Sequence, residues 1–280
     1  MTPAFPARWS LRSPVLIAET FSSRIWRAGR TDGTSVVVKA LNDFPDVEDE
    51  LRGAHYLRWR NGHGAVRLLD LDGTAMLLED AGDRTLHDFL RQRGDDAATF
   101  EAARLAADLF GESAVPPPPE LQPLRARFSS LFKRAALDGA GRRRHDALYR
   151  DAALLAERLL ARERDVRPLH GDLHHDNIML SPRGWLAIDP KGLLGDPAFD
   201  LANFFYNPID ASALCADPKR VRSMAGIFSA ELAIGLPHIL DFAFAWGCLS
   251  ASWHAEDGNE GEEDRELGIA AAVRSVRAAP

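Results

Sequence analysis

Cysteine is almost missing from this chain of 280 residues. Cys215 and Cys248 stand far apart and without metal-ligand spacing, which excludes a disulfide framework and a structural zinc site and leaves two reduced core thiols. Positive charge is also short: 34 Lys and Arg against 41 Asp and Glu give a formal net charge of −7. A field of that sign repels polyanions, so nucleic acid is excluded as a partner and a cationic or neutral small ligand is favoured. No apolar run is long enough to span a bilayer, since Ile239 to Trp253 is interrupted by Asp241. Met1 to Leu11 has no apolar signal region, so the expected compartment is the reducing cytoplasm. What is present is ordinary for a globular protein, with 46% hydrophobic and 27% charged residues.

From Pro14 to Asp80 the text is strand-like. Val15–Ala18, Ile25–Ala28 and Ser35–Leu41 read as a meander with a turn at Thr31-Asp32-Gly33-Thr34, and the runs around Asp72-Gly73 read as a hairpin. One helical interruption covers Pro45 to Trp59, where Val47, Leu51, Ala54 and Leu57 share a face. Beyond Gly82 the character is helical: Leu86–Arg91, Ala97–Phe110, Leu124–Leu137 and Asp146–Arg164, with a stiff Pro116–Pro119 connector. The expected fold class is α+β, with a small antiparallel sheet lobe over residues 1–81, a larger helical lobe over 82–280, and a ligand cleft between them.

The most informative segment is His170-Gly171-Asp172-Leu173-His174-His175-Asp176-Asn177, followed by apolar runs on either side of Ser181-Pro182-Arg183-Gly184 and ending at Ile188-Asp189. Those runs predict a hairpin, which brings Asn177 at its start close to Asp189 at its end. An amide oxygen beside a carboxylate is a hard, oxygen-only site suited to Mg²⁺. Asp172, shortly before Asn177, then lies next to that metal site, placed to accept a proton from an attacking hydroxyl.

The pattern H-G-D-x-x-x-x-N followed by I-D resembles the aminoglycoside phosphotransferase and choline kinase-like branch of the protein-kinase-like fold. The further run Ile188-Asp189-Pro190-Lys191-Gly192, with Gly195-Asp196-Pro197 and Asp200-Leu201-Ala202, is similar to the streptomycin 6-phosphotransferase and hydroxyurea phosphotransferase group. The resemblance implies a bilobal ATP-dependent O-phosphotransferase using Mg²⁺. It implies Asp172 as catalytic base, Asn177 and Asp189 as Mg²⁺ ligands, and Lys39 as the lysine on the nucleotide phosphates. It also implies backbone contacts to adenine from Glu79-Asp80-Ala81 and a phosphate role for Ser22 and Ser23. The loop Glu19 to Arg24 departs from the kinase pattern, because it lacks G-x-G-x-x-G.

Period-2 alternation places Lys39 on the largely apolar face shared by Val37 and Leu41, where an ammonium requires an anionic partner. Glu48 and Glu50 compete for that position. With Val47 as origin, Glu50 lies at about −60°, bordering the buried face, and Glu48 at about +100°, so Glu50 is the expected partner.

Several residues carry two readings. His170, His174 and His175 beside Asp172 and Asp176 suggest a metal hydrolase, but H-x-x-x-H-H is no recognised zinc spacing. His170 is therefore read as a brace, and His174 as a brace or a residue facing the substrate. Asp196 and Asp200 are metal ligands or a helix cap and loop brace, with the structural reading preferred. Lys191 has an active-site role or makes a salt bridge. The acidic run Glu256 to Glu266 is a solvated helix end or an attraction for a cationic aminoglycoside, and Trp253 is core or lines a substrate pocket. The leading expectation is a kinase inactivating a streptomycin-like antibiotic. The alternatives are a kinase of hydroxyurea or another metabolite, and a nucleotide-binding pseudoenzyme.

Overall fold

The computed structural model describes residues 5–44, 47–137, 146–162 and 165–278. Its first part is a five-stranded antiparallel sheet of spatial order β1-β2-β3-β5-β4, built from β1 (Arg12–Glu19), β2 (Ser23–Gly29), β3 (Ser35–Leu41), β4 (Leu68–Asp72) and β5 (Ala75–Glu79). The β2–β3 turn closes because Asp32 Oδ1 accepts from Thr34 N and Oγ1, at 3.0 and 2.6 Å, and Gly33 takes φ +85°. Helix α1 (Val47–Arg60) crosses one face of the sheet, with Ala54, Leu41 and Met76 in its contact. The other face is covered by Trp9, which packs on Val36, Val38 and Leu77 and donates Nε1–H to Asp70 Oδ2 at 2.6 Å. Alternation along β3 thus sends Val36 and Val38 to the Trp9 side and leaves Val37 and Lys39 facing the cleft.

The remainder is mostly helical. Helices α2 (Leu86–Arg93) and α3 (Asp95–Leu109) come first, and α2 starts at a reciprocal cap between Thr85 and Asp88. Next come β6 (Gln122–Pro123), α4 (Leu124–Arg127), α5 (Ser129–Leu137), α6 (Asp146–Leu160), β7 (Arg167–Leu169), the hairpin β8 (Ile178–Ser181) and β9 (Gly184–Ala187), and β10 (Leu193–Gly195). The chain finishes with α7 (Ala198–Ala202), α8 (Ser212–Cys215), α9 (Pro218–Leu232), α10 (Leu236–Glu256) and α11 (Glu260–Arg277). Among the described residues no helix is long and apolar enough to cross a membrane. Both cysteines are buried free thiols.

One apolar core runs through this part and reaches into the first: Tyr56 and Leu57 of α1, with Ala65 and Val66, belong to it. The β8–β9 hairpin joins the two parts directly. Ala187 bridges Ala65, Met179 bridges Thr85, and Arg183 bonds Glu79, Gly62 and Ala65.

Three details differ from the sequence reading. The helix expected over Leu124–Leu137 is divided at Phe128, where ψ opens to 1° and the fully buried ring stands edge-on to Phe199 at 5.7 Å. The signature run at Leu193–Gly195 forms a strand between β6 and β7, too short to show periodicity. The acidic stretch is a helix junction, but it is not merely solvated: Glu263 accepts from Arg134 and Tyr149, and Glu266 is buried beside Arg265. Pro45, at the expected start of α1, and Arg164, at the expected end of α6, lie outside the described residues.

Candidate active site

Between the sheet and the β8–β9 hairpin lies a cavity of about 330 Å³, walled by Val37, Met76 and Leu78 on one side and Met179 and Ile188 on the other. Such an apolar cavity between two lobes suits an aromatic ring. Its inner end holds Lys39, Glu50, Asn177 and Asp189, and its outer end Asp80, Ala81 and Gly82.

The inner end is a knot of charges. Lys39 Nζ bonds Glu50 Oε2 and Asp189 Oδ1, while Lys191 Nζ bonds Glu50 Oε1 at 2.5 Å and lies 3.8 Å from Asp189 Oδ2. Lys39 and Glu50 are 5% and 6% exposed, so each needs its partner. Burial works against ionisation of Asp189, but Lys39 and Lys191 outweigh it and hold the carboxyl below its ordinary range. Burial likewise opposes the charge on Lys191, yet Asp189, Glu50 and Asp172 together raise its pKa. Asp189 also takes φ +58°, a left-handed backbone that aspartate tolerates at a cost of roughly 1–2 kcal/mol.

Beside this knot the segment after β7 forms a rigid loop. Asp200, on α7, accepts His170 N and Gly171 N at 2.7 Å each. Burial pushes its carboxyl up to about 7, against the pull of those two N–H groups. His170 is fully buried, which lowers its pKa to about 4; Asp172 N donates to its Nδ1 at 3.3 Å, and its Nε2 faces Ile188 O at 2.8 Å. Gly171 takes φ +84°, and a Cβ there would press on Leu193. Asp172 is thereby set beside Asn177 of the cavity lining, and two amides fix it: Asn203 Nδ2 donates to Oδ1 at 3.0 Å and Asn177 Nδ2 to Oδ2 at 3.2 Å. His174 receives Asp176 N on Nδ1, and its Nε2 stands 4.0 Å from Asp172 Oδ1. His175 is buried with its ring edge-on to Phe204. The three histidines therefore do not converge on one point.

On the sheet side, Ser22 and Ser23 line the cavity with Thr20, whose hydroxyl accepts Ser23 N at 3.1 Å and contacts both serine hydroxyls at 3.3 Å. Asn42 Nδ2 donates to Thr20 O and Phe21 O, at 3.2 and 2.8 Å, and pins this turn to the end of β3. At the outer end Arg27 pairs with Asp80 and Asp83. The Glu79 side chain bonds Arg183 and Arg67 N.

Three candidates lie elsewhere. Asp196 accepts Ala198 N at 2.9 Å and pairs with His238, making it a brace at the start of α7. Asp200 takes no part in lining this cavity. Trp253 lies under the Arg127 guanidinium at 4.5 Å and takes no part in lining the nucleotide-sized slot. Thr20, Asn42, Arg27 and Asn203 were not foreseen. For Asn203 a signal existed, since it follows Asp200 by three residues and shares its helical face.

The donors present fit a hard divalent cation. Asn177 spends its Nδ2 on Asp172, which turns its Oδ1 to acceptor duty, and Asp189 is a carboxylate already stabilised by cations. No cysteine or histidine joins them in the cavity lining.

Residues 8–258 match the family model described as "Aminoglycoside/hydroxyurea antibiotic resistance kinase". The chain is 38% identical over 260 residues to a streptomycin 3''-kinase of Klebsiella pneumoniae, covering 90% of this chain and 91% of that protein. It is 34% identical over 280 residues to a streptomycin 6-kinase of Streptomyces glaucescens, covering 95% and 86%. Among solved structures, aminoglycoside phosphotransferase APH(4)-Ia, in ternary complex with AMP-PNP and hygromycin B, superposes with a TM-score of 0.64 at 15% identity. That alignment covers 96% of this chain and 95% of the other, a likeness of fold.

Proposed function

This chain belongs to the aminoglycoside/hydroxyurea antibiotic resistance kinase family, and from that premise we propose that it transfers the γ-phosphoryl group of ATP to a hydroxyl of a streptomycin-type aminoglycoside. The observation that carries the reading is the convergence of Lys39–Glu50, Asn177 and Asp189 on one cavity, with Asp172 hydrogen-bonded to Asn177 beside it. In this reading residues 1–81 form the nucleotide lobe and 82–280 the catalytic and acceptor lobe.

Adenine enters the slot against Val37, Met76 and Met179 and meets the backbone of Glu79 and Ala81. Lys39 takes the α and β phosphates while Glu50 fixes its direction. Asn177 Oδ1 and the Asp189 carboxylate would hold Mg²⁺, which neutralises charge on the phosphate oxygens when bound. Thr20, Ser22 and Ser23 offer hydroxyls where a glycine-rich loop would offer amides. Asp172 receives the acceptor O–H, orients its oxygen toward the γ-phosphorus, and takes the proton as the new O–P bond forms and the bond to the β,γ-bridging oxygen breaks, with ADP as the leaving group. The amides of Asn177 and Asn203 keep that carboxylate from turning. The net charge of −7 favours approach of a cationic acceptor.

The two streptomycin kinases named above act, by their names, at different positions of the same antibiotic, so the site of phosphorylation is read from the product. The test is Mg²⁺-dependent ATP turnover with streptomycin, other aminoglycosides, hydroxyurea and simple polyols. Asp172→Asn runs in parallel, and products are located by mass spectrometry and NMR. Turnover stimulated by streptomycin and reduced roughly 100- to 10,000-fold in the variant is expected. Stimulation by hydroxyurea alone overturns the aminoglycoside assignment, and near-normal turnover of Asp172→Asn removes that carboxylate from its role.

A further inference from the structure

Glu50 is served by two lysines. Lys39 reaches it from the sheet and Lys191 from the segment after Asp189, one to each carboxylate oxygen. Lys39 is also shared with Asp189, so two acids and two lysines close a ring. A single lysine on a single glutamate would suffice to aim an ammonium at phosphates, and the second has no part in that task.

The backbone that carries Lys191 is fixed independently of the ring. Its N–H donates to His170 O at 2.7 Å, and Gly192 O accepts from Gln122 N at 3.1 Å. Helix α1 rests directly on this shelf: a Cβ on Gly53 would strike the Pro190 carbonyl, and one on Gly192 would strike the backbone of Arg52. Lys191 thus ties the helix bearing Glu50 to the loop bearing Asp172 and Asp189.

In the ligand-free ring Lys39 divides its protons between Glu50 and Asp189. When phosphates arrive, those protons are needed by the nucleotide, and Glu50, which is 6% exposed, would lose part of its compensation. A buried carboxylate left short of partners is strongly unfavourable. We propose that Lys191 is a positioning residue that holds Glu50, and with it α1, on the catalytic segment while Lys39 turns to the nucleotide phosphates. This rests on the reading above that Lys39 contacts phosphate.

The experiment is a double-mutant cycle on the full chain, read as Mg·ATP affinity by calorimetry: wild type, Lys191→Met, Glu50→Gln and the double variant, with Lys191→Arg as rescue. Lys191→Met should weaken binding about tenfold, the scale of one buried charged contact. Adding it to Glu50→Gln should change affinity less than twofold, and Lys191→Arg should restore most of the loss. In turnover, KM for ATP should rise by the same factor, with a smaller fall in kcat. Equal losses in both backgrounds would show that Lys191 acts on the ligand and not through Glu50, and overturn the proposal. So would unchanged affinity, or a kcat loss alone. Thermal melts identify a variant that fails to fold, and Lys191→Gln then replaces the methionine variant. Wild-type protein that does not bind Mg·ATP sinks the nucleotide reading itself, whereas wild-type binding with an additive cycle sinks only the role of Lys191.

Discussion

Replacing a helical glycine by alanine ordinarily stabilises a protein by about 1 kcal/mol, because glycine has more backbone freedom to lose. At Gly53 the sign should reverse. A Cβ there would lie 3.0 Å from the Pro190 carbonyl carbon and closer still to its oxygen, inside ordinary van der Waals contact. The obstacle is backbone on the segment that carries Asp189 and Lys191, so it cannot yield as a side-chain tip can. Overpacking of this kind costs about 1–3 kcal/mol, or more where backbone must shift. Set against the propensity gain, Gly53→Ala should destabilise by up to about 2 kcal/mol, a fall in Tm of up to roughly 8 °C for a chain of this size. Since α1 lifts from the shelf, Mg·ATP should also bind more weakly. The control is Gly268→Ala on α11, where nothing lies within 4 Å of the added methyl and a gain of about 0.5–1 kcal/mol is expected. Denaturant titration and calorimetry read both quantities. If Gly53→Ala were as stable as Gly268→Ala and bound nucleotide normally, the close seating of α1 would be refuted.

Asn42→Ala removes two hydrogen bonds that hold the Thr20–Ser23 turn from outside it. It should raise KM for ATP several-fold while lowering stability by at most about 1 kcal/mol, the net value of exposed hydrogen bonds; an unchanged KM would mean that the turn takes no part in binding. His238 should show in the pH profile of stability. The hydrogen bond that it donates to Asp196 raises its pKa above the ordinary 6.5, against partial burial. Its contribution is therefore fully present below pH 6.5 and lost as pH rises through the folded value. With the His238 side chain 40% exposed, the effect should stay under about 1 kcal/mol. The Tm gap between wild type and His238→Gln should be widest below pH 6.5 and close as pH rises above it; a gap that widens with pH would contradict the pairing.

The parts of the site that could be read from the chain are those governed by short-range periodicity. Helix angles bring Glu50 rather than Glu48 to the border of the buried face, and Glu50 is the residue on Lys39. Hairpin geometry brings Asn177 and Asp189 into one cleft, where Ile188 N bonds Asn177 O at 2.9 Å. What could not be read depends on contacts between distant segments. Asn42 reaches the Thr20 turn across a strand, Arg27 meets Asp80 across the sheet, and Asn203 reaches Asp172 across the interior. The second oxygen of Glu50 is the clearest case, because a helical wheel assigns a side chain to a face and says nothing of how many partners meet it there. Trp9 likewise gives no local sign that it will cover the back of the sheet.

The β8–β9 hairpin has a mechanical consequence. The chain passes from sheet to helices at Asp80–Gly82, and a lone crossing would act as a free pivot. Here the hairpin grips both sides of that crossing, through Ala65 on one flank and Thr85 on the other, with Arg183 clamped to Glu79 between them. Such a joint resists bending about the crossing in the way that a second screw stops a bracket from turning. The β1–β2 turn stands apart from this joint, with Phe21 81% exposed at its tip.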